Sequence, residues 1–125
     1  MKELQIPVEI PTQNVTERGR TWRARAASTK KRRAAWRAWC SSKMMIEGVT
    51  PAAGPRSLHI IAYRAQRCKD IANLIGGAKA CIDGLVDAHL LLDDQDSMAS
   101  ITYEQRVASK SPTKRPHTTI QIIKE

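Results

Sequence analysis

Apolar and polar residues alternate at the start of the chain. Apolar residues occupy the even positions from Leu4 to Ile10, and this period of two predicts a half-buried strand. Pro7 has no N–H to donate to a neighbouring strand, so we expect this strand at the edge of a sheet. A polar segment that starts at Pro11 then predicts a loop reaching to about Ala27.

Two later segments carry apolar residues at the spacing of amphipathic helices. The first is predicted over Lys30 to Met45, with Ser28 or Thr29 as its N-cap. Its apolar stripe consists of Trp36, Trp39, Cys40 and Met44. The second is predicted over Ala72 to Ala88, with a packing stripe of Leu74, Ala78, Cys81, Ile82 and Leu85.

Three further strands complete the predicted order β-α-β-α-β-β. The segment from Leu58 to Arg64 is apolar on both faces, which is typical of a central strand. Further strands are predicted around Ile101 to Val107 and Ile120 to Ile123. We therefore expect an α/β fold of the two-layer α+β kind. It has a mixed sheet of about four strands with two main helices packed on it, in a single domain over residues 1–125.

Composition narrows the cellular setting. No apolar run approaches the roughly 18 residues of a membrane span, and the N-terminus lacks the apolar stretch of a signal peptide. The three cysteines, Cys40, Cys68 and Cys81, are an odd number without a CxxC pair. These features predict a cytoplasmic protein with reduced, buried thiols.

The charge is strongly basic and unevenly placed. The chain has 21 Lys and Arg against 12 Asp and Glu, a formal net charge of +9, which favours a polyanionic partner. An uninterrupted basic run, together with two residues near the C-terminus, is the expected contact surface for DNA phosphates. It comprises Arg18, Arg20, Arg23, Arg25, Lys30, Lys31, Arg32, Arg33, Arg37, Lys114 and Arg115. The alternative for the run is a solvated helix face or a disordered arm.

The acidic residues suggest a cation site within this basic chain. All the aspartates fall between Asp70 and Asp96. A helix of about 13 residues rises roughly 20 Å, and the segment after it is long enough to bring Asp94 back towards Asp70. Mg²⁺ takes one or two carboxylates plus water and phosphate oxygens. A lysine in reach, such as Lys79, stabilises the charge that develops when a phosphodiester is cleaved.

The stretch from Asp70 to Asp94 resembles the RusA-like Holliday-junction resolvases of phages and prophages. Their pattern is a D-x-D-N-L opening, a helical lysine, an (I/L)-D-G/A-L segment and a late D-D pair. The corresponding residues here are Asp70, Asn73-Leu74, Lys79, Ile82 to Leu85 and Asp93-Asp94. Ile10 to Asn14 is similar to the family's P-x-S-x-N exit from its first strand.

The resemblance implies a homodimer that nicks four-way DNA junctions with Mg²⁺, or with Mn²⁺ in its place. It implies Asp70 and Asp94 as metal-binding and catalytic residues, with Asp93 as a further ligand, and Lys79 as the catalytic lysine. Ala72 stands where the family has a second metal-binding aspartate. Three interpretations follow: Asp93, Asp96 or Asn73 supplies the missing ligand, the chain binds junctions without cleaving them, or the alanine replaces a natural aspartate.

A basic DNA- or RNA-binding protein without catalysis is the rival interpretation. It predicts salt-dependent binding without a metal requirement. Other chemistries find no support: the histidines and cysteines match no zinc spacing, no Ser or Cys pairs with a His at a recognisable spacing, and Gly76-Gly77 lacks the Lys-Ser/Thr of a phosphate loop.

Overall fold

Four strands form one mixed sheet in the order β1-β4-β2-β3. The computed structural model describes residues 2–11, 21–66, 71–95 and 97–124. Strands β2 and β3 are parallel, whereas β4 runs antiparallel to both β1 and β2. In chain order the elements are β1 (Lys2–Ile6), α1 (Trp22–Glu47), β2 (Arg56–Arg64), α2 (Ile71–Gly77), α3 (Lys79–Asp87), β3 (Ala99–Val107), a short 3-10 turn (Ala108–Lys110) and β4 (His117–Lys124). The predicted two-layer α+β class is confirmed.

The strand predictions are confirmed in position and corrected at one end. β1 is an edge strand and β2 lies between β4 and β3, as the proline and the apolar run predicted. However, β1 ends at Ile6 rather than near Ile10, because Pro7 interrupts the ladder and Val8 N–H turns back to Ile6 O at 2.8 Å. Ile10 is nevertheless fully buried.

Helix α1 is longer than predicted. Thr21 is its N-cap, since Thr21 Oγ1 accepts the Ala24 N–H at 3.2 Å. The expected loop to Ala27 and the expected caps at Ser28 or Thr29 are therefore wrong for residues 22–29. The helix ends at Gly48, whose φ of 67° lets its N–H reach the carbonyls of the last turn.

The predicted second helix is divided into α2 and α3. The break falls at Ala78, directly after Gly76-Gly77, and Ala78 N–H still bonds to Leu74 O at 3.0 Å. Glycine lowers helix stability, which accounts for a division at this point. The two pieces together cover almost the predicted range.

Helices α1 and α3 pack on one face of the sheet. Trp36, Cys40 and Met44 of α1 are buried, whereas Trp39 is 41% exposed, so this member of the predicted stripe is wrong. The helix-facing residues of β2 that join the core are Leu58, Ile60 and Ala62. Cys40 and Cys81 are buried free thiols, as predicted. None of the described helices combines the length and apolar character that crossing a bilayer requires.

Glycine at position 84 allows the close contact between α1 and α3. A Cβ on Gly84 would lie 2.5 Å from Trp36 Cβ and 2.9 Å from both Arg33 O and Arg37 N. Two of these three atoms belong to the backbone of α1. The helices therefore touch at a separation that no larger residue permits.

Candidate functional site

The segment after α3 returns along the helix to its first turn. Leu90 and Leu91 are buried in the core and direct the chain back. The buried Arg56 guanidinium fixes this path, because its Nη1 donates to Leu90 O at 3.0 Å and to Thr50 O at 3.1 Å. The returning segment ends at the Asp93-Asp94 pair beside Lys79, the first residue of α3.

Lys79 joins two carboxylates that come from different parts of the chain. Its Nζ lies 3.1 Å from Asp94 Oδ2 and 3.2 Å from Asp83 Oδ1. Asp93 Oδ1 accepts the Asp94 N–H at 2.7 Å and so orients the pair. We call Lys79, Asp83, Asp93 and Asp94 the lysine–carboxylate cluster.

The cluster is charged and open to solvent. The hydrogen bond to Asp94, and next that to Asp83, raise the pKa of Lys79 above its ordinary value. The hydrogen bond from Lys79 is the largest cause that lowers the pKa of Asp94 below its ordinary value. The side chains of Lys79 and Asp94 are 64% and 40% exposed. At neutral pH the cluster therefore presents the Lys79 ammonium and the Asp94 carboxylate to any incoming solute.

Two of the residues that the sequence singled out lie in contact. Lys79 and Asp94 are fifteen positions apart and in direct contact, as a shared site requires. Asp70 and Asp96 lie outside the described residues, so the predicted approach of Asp70 to Asp94 stays a prediction. Ala72 is exposed in the first turn of α2.

Two members of the site's surroundings do not follow from the motif. Asp83 contacts Lys79, and the signal for this is its i,i+4 spacing from the lysine. Burial raises the pKa of the Tyr103 hydroxyl and is the largest cause of its shift. The positive charge of Lys79 lowers the same pKa by a smaller amount. Tyr103 lies on β3 and packs, partly buried, against the hydrophobic core.

A three-ligand metal site does not appear among the described residues. In ranges 2–11, 21–66, 71–95 and 97–124, no three His, Cys, Asp or Glu side chains form a group that could hold a metal ion. Asp94 and Asp93 are carboxylates of the kind Mg²⁺ accepts, and Mg²⁺ keeps several waters when it binds to only one or two of them. These donors fit a hydrated magnesium ion.

The predicted DNA-contacting residues lie mostly on α1. Its first half bears Arg23, Lys30, Lys31 and Arg32, all exposed except for the half-buried Arg32. Arg37 on the next turn is exposed, as are Lys114 and Arg115 in the loop before β4. Arg18 and Arg20, and the side chain of Arg25, lie outside what the structure describes.

Arg33 differs from its neighbours because it joins two helices. Its Nε and Nη2 donate to the two carboxylate oxygens of Asp87 at 2.6 and 2.7 Å. This paired bond is the main reason why the pKa of Asp87 is lowered. The interaction neutralises one charge of the basic run and ties α1 to α3.

The helix-free face of the sheet carries a polar network. His59 Nε2 lies 3.1 Å from Glu104 Oε1, and Glu104 also bonds to Arg106. Arg106 Nη1 donates to Tyr63 Oη at 3.2 Å, and the Tyr63 ring stacks on His117 with centroids 4.3 Å apart. The network bridges strands β2, β3 and β4 and accounts for two of the histidines.

Comparison of the chain with protein-family models, with curated proteins and with solved structures finds no match in any of the three. The function is therefore inferred from the residues of this chain and from the geometry of the lysine–carboxylate cluster.

Proposed function

We propose that this protein is a Mg²⁺-dependent, structure-specific endodeoxyribonuclease. In this proposal it acts as a RusA-like resolvase, cutting four-way DNA junctions by paired nicks during recombination or repair. The observation that supports it most is the contact between Lys79 and Asp94, two residues of the motif that the fold brings together from fifteen positions apart.

Asp94 and Asp93 are the described residues that would hold the metal, and Asp70 is the expected third. A bound Mg²⁺ would lower the pKa of a water molecule and offset the charge on phosphate oxygens. The remaining ligands would be water and the substrate's phosphate.

Lys79 is placed to stabilise the reacting phosphate. Its pKa is raised, so the ammonium keeps its proton at neutral pH. As the water oxygen bonds to phosphorus and the ester P–O bond breaks, negative charge develops on the phosphoryl oxygens, and a nearby ammonium lowers the barrier. The ammonium now donates to Asp94, so it must exchange that partner for a phosphate oxygen when DNA binds.

Helix α1 supplies the proposed contact with the DNA backbone. Lys30 and Lys31 are exposed, and neither forms an ion pair within the described residues. Such cations bind phosphates without reading sequence, which suits an enzyme that recognises shape. Two nicks placed symmetrically need two copies of the site, so we propose a homodimer.

Nicking of a synthetic four-way junction tests the proposal. The chain should nick the junction in Mg²⁺ and not in EDTA, and nick linear duplex DNA of the same sequence much more slowly. Asp94→Asn should abolish nicking. Lys79→Gln should reduce it by about 10²-fold or more, because a positioned charge donor of this kind contributes a few kcal/mol.

Asp87→Asn is the matched control. Asp87 lies on α3, the helix that also carries Lys79, and its carboxylate pairs with Arg33 outside the cluster. It should retain nicking. If Asp94→Asn nicks as fast as the unsubstituted chain while both are folded, the proposal is wrong.

A junction-binding protein without cleavage is the second candidate. It is favoured by Ala72, which is exposed where the resemblance calls for a carboxylate, and by the Lys79 ammonium, which already pairs with both Asp83 and Asp94. Ala72→Asp distinguishes the two. If only the Ala72→Asp chain nicks junctions, while both chains bind them equally, the natural activity is binding.

A further inference from the structure

A pocket of about 370 Å³ lies at the opposite edge of the sheet from the segment that carries Asp94. One wall is the end of β1 with Pro7, a second is Lys43 of α1, and the third is the loop that leads into β4. This volume is in the range of small-molecule sites in proteins. Nothing in the proposed nuclease chemistry uses this pocket.

The charged groups that line the pocket are both cations. They are Lys43 and Arg115, and no carboxylate is among the lining residues. In the part of the chain that the structure describes, neither side chain forms an ion pair, in contrast to Arg33 and Lys79. Lys43 is half-buried, so its charge is less screened by water than that of a fully exposed lysine.

The loop that presents Arg115 is held in shape by its own hydrogen bonds. Ser111 Oγ donates to Ala108 O at 2.7 Å, and Lys114 N–H bonds to Ser111 O at 3.1 Å. His117 Nδ1 lies 2.8 Å from Arg115 O, and the imidazole ring stacks on Tyr63. A wall that is ordered before a ligand arrives loses little entropy on binding.

The remaining lining is apolar or neutral. Pro7 and Pro116 are exposed and offer apolar surface beside the two cations, whereas Ile6 forms the buried floor beneath them. The pocket therefore offers two cations together with apolar surface for an uncharged body. A phosphate monoester carries about −1.5 to −2 charges at neutral pH and three acceptor oxygens, whereas an internal phosphodiester carries a single charge.

We propose that this pocket binds a phosphate monoester attached to a nucleoside-sized body, with Lys43 and Arg115 holding the phosphate. The Arg115 fork provides paired donors for two phosphate oxygens, and Lys43 provides a point charge for the third. Two sources carry this chemistry: a free nucleotide and the phosphorylated 5′ end of a DNA strand. The proposal does not depend on the nuclease activity.

Titration with deoxyadenosine 5′-monophosphate, followed by NMR of the full chain at low ionic strength, tests the proposal. The nucleotide should give saturable shifts at the amides of Lys43, Arg115 and His117, and deoxyadenosine should not. Lys43→Gln and Arg115→Gln should each weaken binding about tenfold or more, because charge-assisted hydrogen bonds contribute at that level.

Lys110→Gln is the matched control, since it removes one exposed cation from the same region but not from the pocket lining. It should leave nucleotide affinity unchanged. The proposal is overturned if Lys110→Gln weakens binding as much as Arg115→Gln, if the nucleoside binds as well as the nucleotide, or if no saturable shift appears at millimolar nucleotide.

A second comparison identifies the source of the phosphate. A 5′-phosphorylated oligonucleotide that binds more tightly than its unphosphorylated copy, with the difference abolished in Arg115→Gln, assigns the pocket to DNA ends. Equal binding of the two, with the free nucleotide still bound, assigns it to free nucleotides. Asp94→Asn should leave nucleotide binding intact, so failure of the nuclease proposal and failure of this one are separable.

Discussion

At the scale of single residues, the site is organised by one ammonium between two carboxylates. Lys79 occupies the place beside Asp94 in which a cation is expected, and it also contacts Asp83. A metal ion at Asp94 would therefore compete with the lysine unless the lysine turned to the substrate. The charge of Lys79 determines how the Asp94 carboxyl responds to pH.

Removing that charge should raise the pKa of Asp94. The pKa of this carboxyl lies below its ordinary value of 3.8 because Lys79 donates to it. The ion pair is thus complete above that value and is lost as the pH falls through the lowered pKa. In Lys79→Met, a ¹³C NMR titration should show the Asp94 midpoint moving upwards towards 3.8.

Asp87 is the internal reference for this titration, because its lowered pKa comes from Arg33. Its midpoint should stay where it is in Lys79→Met. An Asp94 midpoint that does not move would show that the contact with Lys79 is absent in solution.

The sequence predicted this residue-scale contact only in part. The sequence proposed Lys79 and Asp94 as parts of one site, whereas the contact of Asp83 with Lys79 follows from helix geometry. No local pattern singles out Lys43, because its pocket neighbours lie in a loop about seventy residues later. Long-range neighbours of this kind depend on the tertiary fold.

At the scale of elements, the apolar periodicity located the helices but not all their ends. It missed the first turns of α1, since residues 22–29 contain no apolar stripe facing a core and rely instead on the Thr21 cap and good helix formers. It joined α2 to α3, because their stripes are in phase across Ala78. Strand β1 ends at Ile6, directly before Pro7, although the apolar alternation continues to Ile10.

The packing of α1 against α3 gives a sharp test at this scale. Gly84→Ala places a methyl group against the α1 backbone, at distances that real Cβ atoms do not show. We expect a net loss of about 1–3 kcal/mol in the free energy of unfolding, because the strain exceeds the gain in helix propensity. Urea denaturation measures it.

Gly54→Ala is the matched glycine substitution, since a Cβ there meets nothing within 4 Å. It should change the free energy of unfolding by no more than a few tenths of a kcal/mol. Equal effects of the two substitutions would contradict the close approach of α1 and α3.

At the scale of the whole molecule, the chain has a formal net charge of +9, and the described residues of the predicted DNA-contacting set lie on α1 and in the loop before β4. The basic run was predicted as one DNA-contacting surface, but the structure separates its members. Arg33 bonds to Asp87, while Lys30 and Lys31 stand exposed and Arg32 is half-buried. The net charge followed from composition, but only the fold shows which of these cations are paired and which are exposed.

Replacing Lys30, Lys31 and Arg32 by glutamine should weaken junction binding and flatten its salt dependence. Removing one cation–phosphate interaction lowers the slope of log affinity against log salt by about 0.9, so the three substitutions together remove up to about 3. Fluorescence anisotropy at several salt concentrations measures the slope. Asp87 and Arg33 stay in place, so the fold is retained.

An unchanged slope in that triple variant would reject α1 as the DNA-binding surface. A Lys2→Gln variant is the control for charge alone, because Lys2 lies on β1 and its Nζ donates to Gly48 O. It should leave the slope unchanged within error.

Binding of Mn²⁺ in place of Mg²⁺ tests the central claim most directly, because the paramagnetic ion broadens the NMR signals of nearby nuclei. We predict that substoichiometric Mn²⁺ broadens the amide signals of Asp93, Asp94 and Lys79 first, and that Asp94→Asn abolishes this selectivity while Asp87→Asn preserves it. Broadening that is uniform over the chain, or unaffected by Asp94→Asn, would contradict a divalent-cation site at the lysine–carboxylate cluster.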